Sequence, residues 1–334
     1  MPWTETTREQ YRRSGLRYAS DLTDAEWALI ARWMPARRHL GRPREVDLRE
    51  VVQAILFLLS TGCQWRLLPK EFPPCSTVQG YFYAWRDTGR WQKIVKALVR
   101  KARRKLGRRP TPTAGVIDSQ SAPTAHAGGP RGYDAGKRVY GRKRHIVTDT
   151  NGLLLAVNVH PANVQDCHGA VPLLEQLRRR FPRLRHVFAD RIYRGEQLQN
   201  ALSHCKPSWR IEIVERPPGV KGFQLLPKRW VVERTLAWCG RCRRLAKDFE
   251  GSAATETAWV LIAHMRLLTR RLAMASKHGS LFESDSEEPR VFARRLEEWR
   301  QAACQMVRDA RRTAQGRCRR APHHEGVGSI AKFN

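Results

Sequence analysis

Three acidic residues stand at positions where their side chains are able to share one task. Asp118 ends the apolar run GVID, Asp190 ends the run HVFAD, and Glu233 lies in the first turns of a predicted helix. The ends of neighbouring strands bring two aspartates together, and a helix packed on the sheet turns a glutamate toward them. Like charges that meet in this way need divalent cations between them, and hard carboxylate oxygens favour Mg²⁺ or Mn²⁺. Two such ions, about 3.5–4 Å apart, would support phosphoryl transfer on a nucleic acid.

Each acid also has an ordinary explanation. An aspartate at a strand end often caps a turn or a helix, and Glu233 is flanked by Arg229 and Arg234 in the stretch RWVVERT. Arginines at such spacings form helix ion pairs that are worth only a few tenths of a kcal/mol. The prediction therefore depends on the three acids together rather than on any one of them.

The elements that hold these acids belong to a strongly basic chain. Its 334 residues include 62 Lys and Arg against 31 Asp and Glu, which gives a formal net charge of +31 at pH 7. A charge of this size, spread along the chain, indicates a polyanionic partner and points to nucleic acid. The alternative is that the charge serves only solubility, but cytosolic proteins seldom need a net charge of +31 for that purpose. A membrane surface is disfavoured because the basic residues are not confined to one amphipathic helix.

Composition also limits the class of protein. A hydrophobic fraction of 41% supports a folded core, and no window approaches the roughly 18 consecutive apolar residues of a membrane span. The eight cysteines are scattered, so we expect reduced thiols in a soluble, cytoplasmic protein without a membrane partner. Cys239 and Cys242 form a CxxC motif without a second pair, which favours ordinary thiols over a zinc site.

The first part of the chain predicts a set of short helices. Thr23 opens a capping box before the first of them, and Ser76 with Gln79 forms a second capping box. The helix behind Ser76 carries Gln79, Tyr83 and Arg86 on one side, as expected of a helix-turn-helix recognition helix in the major groove of DNA. The alternative is a plain helical domain with Tyr83 in its core.

The middle of the chain predicts three strands in hairpin succession, followed by alternating helices and strands. The three strands cover residues 115–121, 139–149 and 153–159, and the turn at residues 150–152 (TNG) joins the last two. The element order β-β-β-α-β-α-β-α is that of a ribonuclease H-like mixed sheet flanked by helices. We therefore predict an α/β fold that is preceded by an all-α, helix-turn-helix-like domain.

The predicted boundaries divide the chain into four segments. They are an N-terminal arm (1–20), a helical DNA-binding domain (21–107), a ribonuclease H-like catalytic domain (108–275) and a basic, partly disordered C-terminal extension (276–334). Within the catalytic domain, Glu233 belongs to one long predicted helix over residues 229–249.

Several motifs, taken together, resemble those of a known family. The stretches VIDSQS, GGPRGYDAGK, GRKRHIVTDT, FADRIYRG and LPKRWVVERTLAW, in this order and spacing, are similar to the DDE transposases of bacterial insertion sequences, specifically the insertion-sequence family five. The resemblance covers residues from about 20 to 250, including the helical region before the sheet. It implies binding of double-stranded DNA at the terminal inverted repeats, followed by metal-dependent strand cleavage and strand transfer into target DNA.

The resemblance also assigns roles to single residues. The three acids of the family fall on Asp118, Asp190 and Glu233, which would hold two Mg²⁺ or Mn²⁺ ions. The family's arginine four residues before the glutamate falls on Arg229, a predicted DNA contact. Further predicted phosphate contacts, on the second strand and behind the glycine-rich loop, are Lys143, Arg144, His145 and Lys137.

The sequence departs from the family's pattern at four positions. Leu226 and Gly240 replace a tyrosine and a lysine, and Arg191 and Ile192 follow the second acid in place of small residues. The alternative functions are a catalytically impaired DNA-binding regulator and a nuclease on the same fold. Joining two element ends implies a homo-oligomer, at least a dimer on DNA, associated with the nucleoid of a bacterial cytoplasm.

Overall fold

The computed structural model describes residues 13–36, 43–125, 128–203, 210–215 and 226–278. Every described residue belongs to one compact unit. Residues 1–12 of the predicted N-terminal arm lie outside the described residues, as does the predicted C-terminal extension from residue 279 onward.

Four helices precede the sheet, as the sequence predicts. They are α1 (Asp24–Ile30), α2 (Leu48–Thr61), α3 (Cys75–Asp87) and α4 (Arg90–Lys105). The capping box at Thr23 is confirmed, since its hydroxyl accepts a hydrogen bond from the Glu26 amide at 3.2 Å and the Glu26 carboxylate accepts one from the Thr23 amide at 3.0 Å. The predicted cap at Ser76 is wrong, because Pro74 occupies the N-cap position and Ser76 lies inside the first turn.

The connection between α2 and α3 is longer than that of a helix-turn-helix motif. It runs from Gly62 to Pro74 and contains a 3₁₀ turn at Trp65–Leu67, whereas the turn of the motif has about 3–4 residues. Gly62 ends α2 in the left-handed conformation with φ of 69°, and a Cβ there would lie 3.2 Å from the backbone of Arg243. The predicted helices are therefore present, but a wider turn joins them.

A six-stranded mixed sheet lies at the centre of the described residues. Its strands are β1 (Ala114–Pro123), β2 (Gly132–Asp134), β3 (Val139–Asp149), β4 (Leu154–Pro161), β5 (His186–Ala189) and β6 (Arg210–Ile213). β3 pairs antiparallel with β1, β2 and β4, while β5 pairs parallel with both β1 and β6. This arrangement is ribonuclease H-like, and the predicted fold class is confirmed.

One strand and one turn of the sheet show what can and cannot be predicted from the sequence. The sequence predicts a loop where β2 lies, because three residues are too few to show a period and are ordered by pairing with 139–141. The predicted turn between β3 and β4 is confirmed. Gly152 in this turn has φ of 84°, and a Cβ there would lie 2.9 Å from the Thr235 hydroxyl oxygen. A glycine is required because the next layer of structure packs directly on the turn.

Four more helices follow β4 within the described residues. They are α5 (Asp166–Arg180), α6 (Glu196–Ala201), α7 (Pro227–Gly240) and α8 (Ala253–His278). The helix that carries Glu233 ends at Gly240 rather than at Phe249, because the chain leaves it through a 3₁₀ segment at Arg243–Leu245. No helix in the described ranges combines the length and the apolar character that a membrane span requires.

The N-terminal helices and the sheet share one hydrophobic core. α8 packs against α1, α4 and β4, and Trp259 on α8 stacks on Phe82 of α3 with ring centroids 4.6 Å apart. Arg244, before α8, donates to the Cys63 carbonyl at 3.1 Å and so joins the end of α2 to the same region. The predicted boundary near residue 107 falls inside this continuous core, and the division into two domains there stays a prediction.

His264 lies in this core between α8 and β4, and it makes stability depend on pH. Its Nε2 accepts a hydrogen bond from the Leu154 amide at 3.0 Å, and burial lowers its pKa from the ordinary 6.5 to about 3. The unfolded chain therefore binds a proton that the folded chain does not. Stability that is complete above pH 6.5 is lost as the pH falls from 6.5 toward 3, by at most about 1.4 kcal/mol per pH unit.

We expect His264→Gln, which keeps a hydrogen-bond acceptor for the Leu154 amide, to flatten the pH dependence of the free energy of unfolding by about one proton. Urea denaturation at a series of pH values between about 5 and 7.5 measures this slope. His168→Gln is the matched control, because the ring of His168 is exposed in the folded chain. A slope that stays the same in His264→Gln would contradict the prediction.

Candidate active site

The register of the sheet brings the first two acids side by side. β1 and β5 pair in parallel as far as Val116 opposite Phe188. Asp118 and Asp190 each lie two residues beyond this last pair, one on each strand's continuation. Neighbouring strands lie about 4.7–4.9 Å apart, and residues in the same register point to the same face. The sequence places Asp118 at a strand end, but β1 continues to Pro123, so the acid lies within the strand and is half-buried.

Asp190 follows β5 and begins a 3₁₀ turn over Arg191–Tyr193. Its carboxylate accepts a hydrogen bond from the Arg191 amide, and its carbonyl accepts one from the Tyr193 amide at 3.0 Å. Arg191, Ile192 and Arg194 are exposed, whereas Tyr193 is buried. The turn that carries Asp190 therefore reaches the interior through Tyr193.

α7 carries Glu233 across the sheet toward the two aspartates. The helix packs against β1 and β3. It is fixed on the β3–β4 turn, where Arg234 donates to the Asn151 carbonyl at 3.0 Å and Thr235 donates to the Gly152 carbonyl at 2.9 Å. These contacts orient the helix one residue beyond Glu233 without using the glutamate itself.

Arg229 lies between two of the acids, as its position one helical turn before Glu233 predicts. Its Nη2 is 2.7 Å from Asp190 Oδ2 and 3.4 Å from Glu233 Oε1. The three side chains are 25–33% exposed, so water screens these ion pairs and each is worth at most about 1 kcal/mol. Arg229 thus holds Asp190 and Glu233 near each other through weak ion pairs, and breaking these pairs would cost little free energy.

Burial, together with the negative charge of Glu233, raises the pKa of Asp118 to about 6. The Ser119 amide, which donates to the Asp118 carboxylate at 2.7 Å, acts in the opposite direction, as do the charges of Lys137 and Arg229. Lys137 donates from Nζ to the Ser119 carbonyl at 3.0 Å. The charges of Glu233, Lys137 and Arg229 thus act on Asp118, and Arg229 in turn contacts Asp190 and Glu233. The three predicted acids and these two predicted cations therefore lie in one region of the structure.

Comparison with known families matches two parts of the chain. Residues 109–268, a range that includes Asp118, Asp190 and Glu233, match the family "Transposase DDE domain". Residues 22–95, which include α1, α2 and α3, match the family "Putative transposase of IS4/5 family". The chain carries a DDE transposase domain and a domain of the IS4/5 transposase family.

A curated relative of this chain is the "Putative transposase for insertion sequence element IS402" of Burkholderia cepacia. The two are 37% identical over 129 residues, which is 36% of this chain and 59% of the relative. The chain thus matches less than two thirds of the relative's length. No solved structure matches the chain significantly.

The acids of the transposase domain suit a divalent cation by their chemistry, as is general for this family. Asp118, Asp190 and Glu233 offer hard carboxylate oxygens. Burial, and to a smaller extent the charge of Glu233, raises the pKa of Asp118, and a cation beside this carboxylate would offset both effects. Over the described part of the chain, no three His, Cys, Asp or Glu side chains are close enough together to hold a metal ion. Arg229 provides the positive charge between Asp190 and Glu233 in this arrangement.

Lys143, Arg144 and His145 do not lie where the sequence analysis puts them. β3 is an interior strand, and the three side chains are at most 3% exposed. Lys143 donates to the Val164 carbonyl at 2.9 Å, and Arg144 lies 2.5 Å from Glu256. Side chains buried in this way offer no surface to a phosphate, so we correct these three predicted DNA contacts to internal contacts.

Gln79, Tyr83 and Arg86 lie on one side of α3, as predicted, and are partly exposed. Gln79 donates to the Tyr83 hydroxyl at 3.4 Å, and the Arg86 guanidinium lies 4.7 Å from the centre of the Tyr83 ring. Arg86 also donates to the Thr255 hydroxyl at 2.8 Å, which ties this side of α3 to α8. Their contact with DNA stays a prediction.

Cys239 and Cys242 are buried free thiols at the end of α7. Burial raises the pKa of Cys239 to about 12 and also raises that of Cys242. Among the described residues, no further His, Cys, Asp or Glu side chain completes a metal site with these two thiols. The environment of the pair is therefore that of core thiols rather than that of zinc ligands.

Three residues beside the acids escape sequence analysis. The Ser119 hydroxyl donates to the Asp166 carboxylate, which also lies 3.3 Å from Lys143 Nζ, and Tyr193 is buried behind Asp190. For Asp166, the sequence shows only an acidic residue in the first turn of a helix, which is a common position and does not indicate a functional role. For Tyr193, the sequence offers one sign, namely that an aromatic residue lies between the basic residues Arg191 and Arg194.

Proposed function

We propose that the chain is an active DNA transposase that cleaves the ends of its insertion sequence and joins them to target DNA in a metal-dependent reaction. The observation that carries the proposal is the approach of Asp118, Asp190 and Glu233 within a ribonuclease H-like sheet, with Arg229 between two of them. These residues come from three separate elements, and the register of β1 and β5 together with the packing of α7 accounts for their approach.

Each polar group then has a role. Asp118, Asp190 and Glu233 would hold two Mg²⁺ or Mn²⁺ ions, which supply the charge needed to activate an attacking oxygen and to stabilise a leaving one. Arg229 and Lys137 would contact the phosphate at the cut, since both already lie beside the acids. To contact a phosphate, Arg229 would break its ion pairs with the partly exposed carboxylates of Asp190 and Glu233. The phosphate would then replace these carboxylates as its negatively charged partner.

Double-stranded DNA is the proposed partner, both as the terminal inverted repeats and as the target. The net charge of +31 supports contacts along the phosphate backbone. The partly exposed side of α3, with Gln79, Tyr83 and Arg86, is the proposed surface for the repeats. Joining two ends requires at least a dimer on DNA, and such a reaction takes place at the bacterial nucleoid.

The test is an assay of DNA cleavage and strand transfer with the full chain, Mg²⁺ or Mn²⁺, and duplexes that carry the element's own ends. Joined products that disappear when the metal is chelated are expected. Cleaved but never joined ends would indicate a nuclease. Binding of the ends without cleavage would indicate a DNA-binding regulator, a reading that the Arg191-Ile192 departure favours.

A further inference from the structure

Three side chains, two buried and one half-buried, form a hydrogen-bonded chain beneath the acids. The Tyr193 hydroxyl lies 2.7 Å from His145 Nε2, and His145 Nδ1 lies 3.3 Å from His160 Nε2. At the far end, His160 Nδ1 lies 3.0 Å from the Pro161 carbonyl oxygen. Tyr193 is 2% exposed and His145 is fully buried, so water does not compete for the bond between these two side chains.

The carbonyl at one end fixes the direction of every bond. A carbonyl oxygen only accepts, so His160 donates from Nδ1 and, as a neutral ring, accepts at Nε2 from His145 Nδ1. His145 then accepts at Nε2, and the Tyr193 hydroxyl is its donor. Burial lowers the pKa of both histidines, that of His145 to about 3, which keeps both rings neutral. One arrangement of protons therefore satisfies the whole chain.

The histidine rings have no room to turn. Gly169 on α5 packs on them so closely that a Cβ at this position would lie 2.5 Å from His160 Nε2 and 2.9 Å from His145 Nδ1. The glycine brings the helix backbone directly onto the two rings. The acceptor at His145 Nε2 is thus held at a fixed point on β3.

The two ends of the Tyr193–His145 bond belong to elements that carry different acids. His145 on β3 pairs with Ser119, the residue after Asp118 on β1. Tyr193 closes the otherwise exposed turn that begins at Asp190, and its amide donates to the Asp190 carbonyl at 3.0 Å. The bond therefore links the strand pair that holds Asp118 to the turn that holds Asp190.

We propose that Tyr193 and His145 are positioning residues that set the distance between Asp118 and Asp190 for the binding of divalent cations. This inference rests on the proposed function. Neither residue touches the reacting atoms; the hydrogen bond acts by holding the Asp190 turn against β3. Its loss leaves all three carboxylates present but lets the turn shift, so cation binding weakens while the core stays packed.

The test measures Mn²⁺ binding by the full chain, from the electron paramagnetic resonance signal of free Mn²⁺. Tyr193→Phe removes one oxygen and keeps the ring. We expect it to weaken Mn²⁺ binding roughly 10- to 100-fold, the loss typical when an outer-shell partner of a metal site is removed. His145→Asn, which is too short to reach the hydroxyl, should do the same. His145→Gln, which can place an acceptor near the former Nε2, should stay close to the wild type.

Two further comparisons separate positioning from general damage. Tyr18→Phe removes the same atom from a half-buried tyrosine packed between Phe57 and Phe72, and it should leave Mn²⁺ binding unchanged. Tyr193→Phe combined with His145→Asn should bind no more weakly than Tyr193→Phe alone, because the bond that His145→Asn removes is already absent from Tyr193→Phe. Amide hydrogen exchange over residues 190–194 should speed up in both single variants.

The outcomes distinguish this inference from the function on which it rests. A wild-type chain that fails to bind Mn²⁺ would overturn the metal site and the positioning role together. Wild-type binding with an equal affinity in Tyr193→Phe would overturn the positioning role alone. Equal affinities in His145→Asn and His145→Gln would overturn it as well, whether or not Tyr193→Phe folds.

Discussion

Glutamine in place of Glu233 is expected to slow DNA cleavage by about 10²–10³-fold or more, the loss typical when one preorganised charged or polar group is removed from a site. The change keeps the size of the side chain and removes its charge, which leaves two carboxylates to hold the cations. It also lowers the pKa of Asp118, because Glu233 is one of the charges that raise it. Single-turnover cleavage of end-bearing DNA with Mg²⁺ measures the effect.

The fold of this variant should be preserved, because α7 is anchored by Arg234 and Thr235 rather than by Glu233. Asp118→Asn and Asp190→Asn should show losses of similar size. The matched control is Glu212→Gln on β6, where the carboxylate pairs with Lys228 at 3.2 Å and with His186 at 2.8 Å, apart from the three acids. Cleavage at the wild-type rate by Glu233→Gln would remove the glutamate from the proposed site.

Alanine in place of Asp248 is expected to lower the free energy of unfolding by about 3–5 kcal/mol, the cost of leaving a buried charge without its partner. Arg142 and Asp248 are both 0% exposed and lie 2.8 Å apart. Arg142 also donates to the carbonyls of Pro130 at 2.8 Å and Glu250 at 2.7 Å. Its charge cannot reach water when the aspartate is lost. Urea denaturation followed by circular dichroism measures the change.

An exposed ion pair provides the control for this prediction. Asp24→Ala breaks the pair with Arg49, but Asp24 is 94% exposed, so the loss should not exceed about 1 kcal/mol. Arg142→Met combined with Asp248→Leu should be less harmful than Asp248→Ala, since no buried charge is then left alone. A double variant as unstable as the single one would mean that packing rather than charge sets the cost.

The fold was predictable from the sequence where local signals agree with the final packing. The capping box at Thr23 and the turn at residues 150–152 are local, and both are confirmed. The Ser76 cap failed because the same pattern, Ser-x-x-Gln, occurs within a first turn that Pro74 already opens. β2 escaped notice because its order comes from a partner strand and not from its own residues.

The site was predictable only in part, for a related reason. Asp118, Asp190 and Glu233 follow from strand ends, a helix and the resemblance to a family. The sequence GRKRH, however, predicts an exposed basic strand, whereas the structure buries it. The partners that make burial possible, among them Asp248 and Glu256, come from a segment about a hundred residues later. Ion pairs between residues so far apart in the sequence cannot be predicted from a local pattern.

The continuous core between the N-terminal helices and the sheet has a consequence for how DNA would be cut. α3 reaches α8 through Arg86 and Thr255, and α8 in turn packs on β4. If α3 recognises a repeat and the three acids cut the strand, as proposed, both belong to one packed core and act at a set distance from each other along the duplex. One extra base pair between the repeat and the cut would displace the bond by about 3.4 Å and rotate it by roughly a tenth of a turn. Spacing, as much as sequence, would then decide which ends are accepted.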